Sequence, residues 1–171
     1  GDSKDPVIAT VRQLIKDFPE REIVLVINDF KFGSNPKVSN LINMYGAAKH
    51  DLIVIADSDM RVGGDYLDVV ISEFSKPSVG AVTCLYRGIA AEGYASRLGA
   101  MFINEGFLPS VLVALALGDL RFCFGSTMAV RRSVLEKMGG FPVLSRYLAD
   151  DHMLGKLVSE LGFEVRLCPY V

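Results

Sequence analysis

The chain has 171 residues, 50% hydrophobic and 22% charged, with a formal net charge of −2 and a mean hydropathy of +0.33. That length and apolar share predict one domain with a substantial core and exclude a mainly disordered chain. Eighteen basic residues against 20 acidic ones leave no positive excess for phosphate backbones, so no nucleic acid partner is expected.

Val7, Val11, Leu14, Ile15 and Phe18 fall at helical spacing behind Asp5 and Pro6, which predicts a helix over 6–18. IVLVI at 23–27 is a short apolar run rich in β-branched residues, the pattern of a strand covered on both faces. A polar loop follows, and Asn35-Pro36 opens a helix reaching about Ala48. LIVIA at 52–56 reads as a second buried strand that runs into Asp57-Ser58-Asp59. A helix at 65–74 and a strand at 79–84 come next. Strands alternating with helices at this rhythm indicate an α/β fold with a largely parallel sheet.

The second half differs. Residues 88–117 look helical and apolar, and 106–118 (GFLPSVLVALALG) carry no charge. That stretch is shorter than the roughly 20 residues of a membrane span, and Pro109 interrupts it, so no span is expected. STMAVR at 126–131 reads as a strand. Ser133 three residues before Glu136 predicts a capping box, with Gly139-Gly140 as the helix stop. A helix is expected from Asp150 to Leu161, ended by Gly162, and a last strand at 163–168. Cys84, Cys123 and Cys168, odd in number and far apart, argue against a disulfide framework or a zinc site, and Cys84 and Cys168 sit in apolar runs as buried thiols. The polar lead of 1–6 has no apolar run behind it, so it is no signal peptide, and the chain reads as an excerpt of a longer protein.

Chemistry concentrates in acidic groups at element ends. Asp57-Ser58-Asp59 directly follows a predicted strand, where open α/β sheets bind ligands. Two carboxylates two residues apart can share one hard cation and leave positions for water and phosphate oxygens. Asp150-Asp151 opens a helix, where one carboxylate caps or meets a sugar and the next faces a substrate hydroxyl as general base. Gly125 beside Ser126 permits close backbone approach to a ligand. Arg131-Arg132 suits phosphate or plain solvent. Lys37, Asn40 and Asn43 share one helical face, open to a nucleotide or to water.

Taken in order, NPKVSNL (35–41), VIADSDMRV (54–62), GAVTCLYRG (80–88), FGSTMAVRRSVLEKMGGF (124–141) and LADDHMLGKL (148–157) resemble the ceramide glucosyltransferase family, glycosyltransferase family 21. INEGFLPSVLVA (103–114) resembles its bacterial hopanoid-biosynthesis branch more closely. The resemblance implies a GT-A nucleotide-sugar-binding fold and inverting transfer of a sugar from a UDP-sugar to a hydroxyl of a membrane lipid. It implies Asp59 as principal Mg²⁺ or Mn²⁺ ligand, with Asp57 on metal and ribose. Asp151 takes the place of the base, with Asp150 where a Glu is usual. Lys37 and Asn40 match positions near the nucleotide, and Gly125 and Ser126 the loop beside the donor sugar.

Such enzymes also carry an earlier strand with a uracil-holding aspartate, a later (Q/R)xxRW motif and flanking membrane helices. None of these is in this sequence, which has no Trp. Residues 1–171 therefore read as a single GT-A-like catalytic domain fragment of a membrane-associated enzyme, on the cytoplasmic face. The apolar excess at 98–117 is expected to form a partly exposed membrane-interface surface. Two other readings use the same residues. A phosphatase of the haloacid-dehalogenase type also has D-x-D after a strand, but continues to Thr or Val where Arg61 stands. A non-catalytic nucleotide-binding or membrane-docking fragment would use the carboxylates as caps.

Overall fold

A computed structural model describes residues 1–118 and 120–170. It divides into two compact units, one of residues 1–50 with 139–148, the other of 51–138 with the segment from 149 onward.

The first unit contains α1 (Val7–Asp17), α2 (Pro36–Tyr45) and a 3₁₀ turn at Phe141–Leu144. Asp5 Oδ1 accepts from the Val7 amide (2.9 Å) at the start of α1. Asn35 caps α2 as its sequence suggests, with Oδ1 accepting from Val38 N at 3.1 Å and Pro36 in the first turn. The Asn35 amide also donates to Tyr147 O at 2.8 Å. Gly33 allows this approach, because a Cβ there would lie 2.4 Å from the Ser145 carbonyl oxygen. The expected strand at 23–27 does not form. A strand needs a ladder partner, and none of the described residues pairs with this run. Val24 and Ile27 stay exposed, and the carbonyls of Asn28 and Phe30 accept from the Asn43 side chain instead.

The second unit holds a four-stranded sheet in the order β1-β3-β2-β4. The strands are β1 (Leu52–Ala56), β2 (Val79–Cys84), β3 (Thr127–Arg131) and β4 (Glu164–Cys168). β2 and β4 are parallel, and β3 runs antiparallel to both β1 and β2. Three strands thus share one direction, as the alternation predicts, but the reversed β3 is inserted among them. The β2–β3 connection is long and helical, so it can return the chain from either end of the sheet, and the alternation of elements does not determine its direction. Tyr66 and Val70 of α3 (Tyr66–Ser72), with Phe74 just beyond, pack on Val79, Val82, Cys84, Ala129 and Cys168. All three cysteines are free and buried. Cys84 and Cys168 face each other in the ladder, and burial first, then the neighbouring thiol, pushes Cys84 up to about 12.

The apolar segment forms one continuous helix of 24 residues from Tyr94 to Leu117. It comprises α4 (Tyr94–Met101), a π-helical stretch at Phe102–Phe107 and α5 (Leu108–Leu117). The expectation of no segment long enough to span is therefore corrected: by length and composition this helix suffices. Pro109 does not break it. The widened π turn just before the proline relieves the clash its ring would make and tolerates the absent N–H. Val111 is its one buried residue, while Phe102, Leu112, Val113 and Leu117 are exposed.

α6 (Arg132–Lys137) begins directly at the end of β3. Ser133 therefore lies inside the helix and the expected cap is not made. Arg132 N instead donates to Asp51 O at 2.7 Å. α7 (Asp150–Glu160) starts at the predicted residue and is followed by Gly162 at φ 82°.

Candidate active site

The carboxyl ends of β1 and β2 and the amino end of β3 lie together at one edge of the sheet. Asp57 follows β1, and its amide donates to the Ser126 carbonyl at 3.1 Å, joining the D-x-D turn to the segment that enters β3. Thr83, the penultimate residue of β2, fixes the same segment from the other side. Its buried hydroxyl accepts from Phe124 N at 2.8 Å and can donate to the carbonyl of Phe124 or Thr127, both at 3.1 Å.

α7 delivers the second acidic pair to this segment. Gly155 lets the helix approach the backbone, since a Cβ there would meet Phe122 Cα at 2.4 Å and Cys123 N at 2.6 Å. One turn earlier, Asp151 lies against Gly125, whose added Cβ would be 3.1 Å from Asp151 Oδ2. Gly125 is thus small for spatial reasons, and its backbone is not left-handed. The other oxygen, Oδ1, accepts from His152 N at 2.8 Å. Asp151 is half-buried and Asp150 is buried. His152 is exposed and stacks on Phe122, with ring centroids 5.5 Å apart.

Asp59 is exposed, and its carboxylate has no protein partner among the described residues. It lines a cleft of about 350 Å³ with Arg61, Tyr66, Tyr86, Arg87 and Tyr170. Tyr170 holds the turn after Asp59, its hydroxyl accepting from Gly63 N at 2.5 Å. No three His, Cys, Asp or Glu side chains converge on a metal position among the described residues. The donor set available is the Asp57–Asp59 pair. Two hard oxygen donors, one of them free, fit an octahedral Mg²⁺ or Mn²⁺ ion that completes its shell with phosphate and water.

Tyr86, not singled out in the sequence, lines the same cleft. It stands two residues beyond β2, half-buried, with its ring 5.1 Å from that of Phe107 on the apolar helix. Burial pushes its phenol up, and the Asp151 and Asp57 carboxylates push it further. The following turn is clamped by Asn104, whose side chain accepts from Gly88 N (2.8 Å) and donates to Gly88 O (3.0 Å). Cys123, fully buried, is pushed up strongly by burial and then by Asp151, so it is no nucleophile.

Of the residues singled out in the sequence, Asp57, Gly125, Ser126 and Asp151 meet around the 123–126 segment, Asp150 precedes Asp151 at the start of α7, and Asp59 opens on the adjoining cleft. The Ser126 hydroxyl is buried with no hydrogen-bond partner. Lys37 and Asn40 lie on α2 of the first unit. Arg131 is not a phosphate ligand, because its guanidinium donates to the carbonyls of Val79, Phe74 and Lys76.

The family model described as Glycosyl transferase family 21 matches residues 1–171. Ceramide glucosyltransferase 1 of Caenorhabditis elegans is 28% identical over 160 residues, 93% of this chain and 34% of that protein. Ceramide glucosyltransferase 3 of the same organism is 24% identical, over 95% of this chain and 35% of that protein. The chain thus spans about a third of the length of these relatives. Among solved structures, a mannosyltransferase from Pyrobaculum calidifontis in complex with GDP-Man and Mn²⁺ superposes with a TM-score of 0.73. It is 23% identical, and the match covers 97% of this chain and 44% of that one. The likeness shows a shared GT-A fold.

Proposed function

The chain belongs to glycosyl transferase family 21, and on that premise we propose that it is the catalytic domain of an inverting enzyme that moves a sugar from a UDP-sugar to a hydroxyl of a membrane lipid. The observation that carries this reading is the meeting of two acidic motifs across Gly125 and Ser126, one beside the other at the open edge of the sheet. Asp151 is the general base: it takes the proton from the acceptor hydroxyl while that oxygen bonds to the anomeric carbon and the bond to the diphosphate breaks. Asp57 and Asp59 would hold a divalent ion, whose chemistry when bound would be to offset the charge of the diphosphate. Gly125 lets Asp151 lie against the loop, and Asp150 stands beside that base at the buried start of α7. The Ser126 hydroxyl, buried and without a hydrogen-bond partner, is a polar group that the donor can satisfy.

A lipid acceptor is supported by the exposed apolar helix, whose Phe107 packs on Phe124 next to Gly125. We place this helix at the membrane interface on the cytoplasmic side, with its outer face toward lipid. The test is a UDP-sugar panel on the full-length membrane enzyme, with ceramide and hopanoid acceptors and products identified by mass. A glycosylated lipid with an inverted anomeric linkage is expected. Absence of transfer from every UDP-sugar would refute the reading. Calorimetry gives a second measure: Asp59→Ala is expected to abolish the Mn²⁺-dependent part of UDP binding, and an unchanged metal dependence would remove Asp57–Asp59 as the ion site.

A further inference from the structure

We propose that Tyr86 is a donor-specificity residue, its hydroxyl donating a hydrogen bond to a hydroxyl of the sugar being transferred. The inference rests on the active-site reading above and adds a residue to it.

Three observations place the phenol there. Tyr86 continues β2 out of the same sheet edge from which Asp57 and Ser126 emerge. It lines the cleft that Asp59 opens on, and its ring packs on Phe107, which packs in turn on Phe124 beside Gly125. Asp57 belongs to the nucleotide and metal side of the reaction and Asp151 to the attacking side. The group transferred between them is the sugar, so a side chain that lines the Asp59 cleft and packs toward the Phe124–Gly125 segment against Asp151 lies beside the sugar.

The hydroxyl is also available. It meets no hydrogen-bond partner among the described residues, whereas the buried Tyr66 hydroxyl beside the same cleft is engaged by Thr127 Oγ1 at 3.1 Å. A phenol is protonated at neutral pH, so it can donate to a sugar hydroxyl that accepts.

The ring is held in place independently of any ligand. One face packs on Phe107, and the double hydrogen bond from Asn104 to Gly88 fixes the backbone two residues on. Gly88 itself has no room for a side chain, because a Cβ would lie 2.6 Å from Ala100 Cα in α4. A donor whose orientation is set before the substrate arrives discriminates between sugars, since a donor sugar lacking the matching hydroxyl leaves the phenol unpaired.

The test uses the full-length membrane enzyme and whichever of UDP-glucose and UDP-N-acetylglucosamine it turns over, with the 3-, 4- and 6-deoxy analogues of that donor. Tyr86→Phe keeps the ring and its contact with Phe107. It is expected to lower kcat/KM for the parent donor about tenfold, the worth of one hydrogen bond at a shielded site. One deoxy analogue is expected to lose about the same factor with wild type and nothing further with Tyr86→Phe, the non-additivity that marks a direct contact. Wild-type kcat/KM in Tyr86→Phe, or equal extra losses on all three analogues, would overturn the proposal. Asp151→Asn, measured alongside, separates the two claims: if it abolishes transfer while Tyr86→Phe is unchanged, only the role of Tyr86 falls.

Discussion

Thr83 has no role in the proposed chemistry, yet its one hydroxyl holds the loop of the candidate site. It is fully buried and serves both the amide and the carbonyl side of the 124–127 turn. Thr83→Val keeps the shape and leaves Phe124 N unpaired in the interior. We expect it to destabilise the chain by about 1–3 kcal/mol in urea unfolding; an unchanged midpoint would show that the loop is held some other way. The acidic pairs of the candidate site were legible because each stands directly at a predicted element end, Asp57-Ser58-Asp59 after β1 and Asp150-Asp151 at the start of α7. Tyr86, Tyr170 and Thr83 were not, because tyrosine and threonine are ordinary core residues and only a fold tells which hydroxyl faces what. Arg131 shows the converse. Its charge suggested a phosphate ligand, but three backbone carbonyls and the ring of Phe74 take it up.

At the level of elements, α7 and the Tyr94–Leu117 helix matter most. α7 has its predicted start, and its approach to the 122–123 backbone depends on Gly155. Gly155→Ala places a methyl group within 2.4 Å of Phe122 Cα, where no flexible side chain can yield. We expect a loss of about 1–3 kcal/mol or more from overpacking, with the Asp151 side chain displaced, and a thermal melt checks it; wild-type stability would contradict the packing. The apolar helix was legible in composition but not in length, because Pro109 reads as a break and the π turn that accommodates it leaves no mark in the sequence. Its exposed residues predict that the 171-residue chain sediments with phospholipid vesicles. Replacing Leu112 and Val113 with Asp is expected to reduce the bound fraction several-fold, since burying each apolar side chain contributes about 1.5–3 kcal/mol. Equal sedimentation of the variant would remove this face from the membrane. IVLVI at 23–27 failed as a strand for the opposite reason: its composition is right, but pairing is a property of two segments, and no second one is paired with it among the described residues.

On the scale of the whole molecule, the alternation of strands and helices foretold an α/β sheet, and three of four strands run as expected. The reversal of β3 was out of reach, because a helical connection of this length imposes no direction. That reversal builds the candidate site. It brings the amino end of β3, with Gly125 and Ser126, to the edge where β1 and β2 end, so that one loop meets both acidic motifs. The most direct test of this arrangement is turnover by the full-length enzyme carrying Asp151→Asn, measured with a UDP-sugar and a lipid acceptor beside UDP affinity by calorimetry. Loss of turnover by about 100-fold or more with UDP affinity unchanged is the result this account predicts. Wild-type turnover in Asp151→Asn would contradict it.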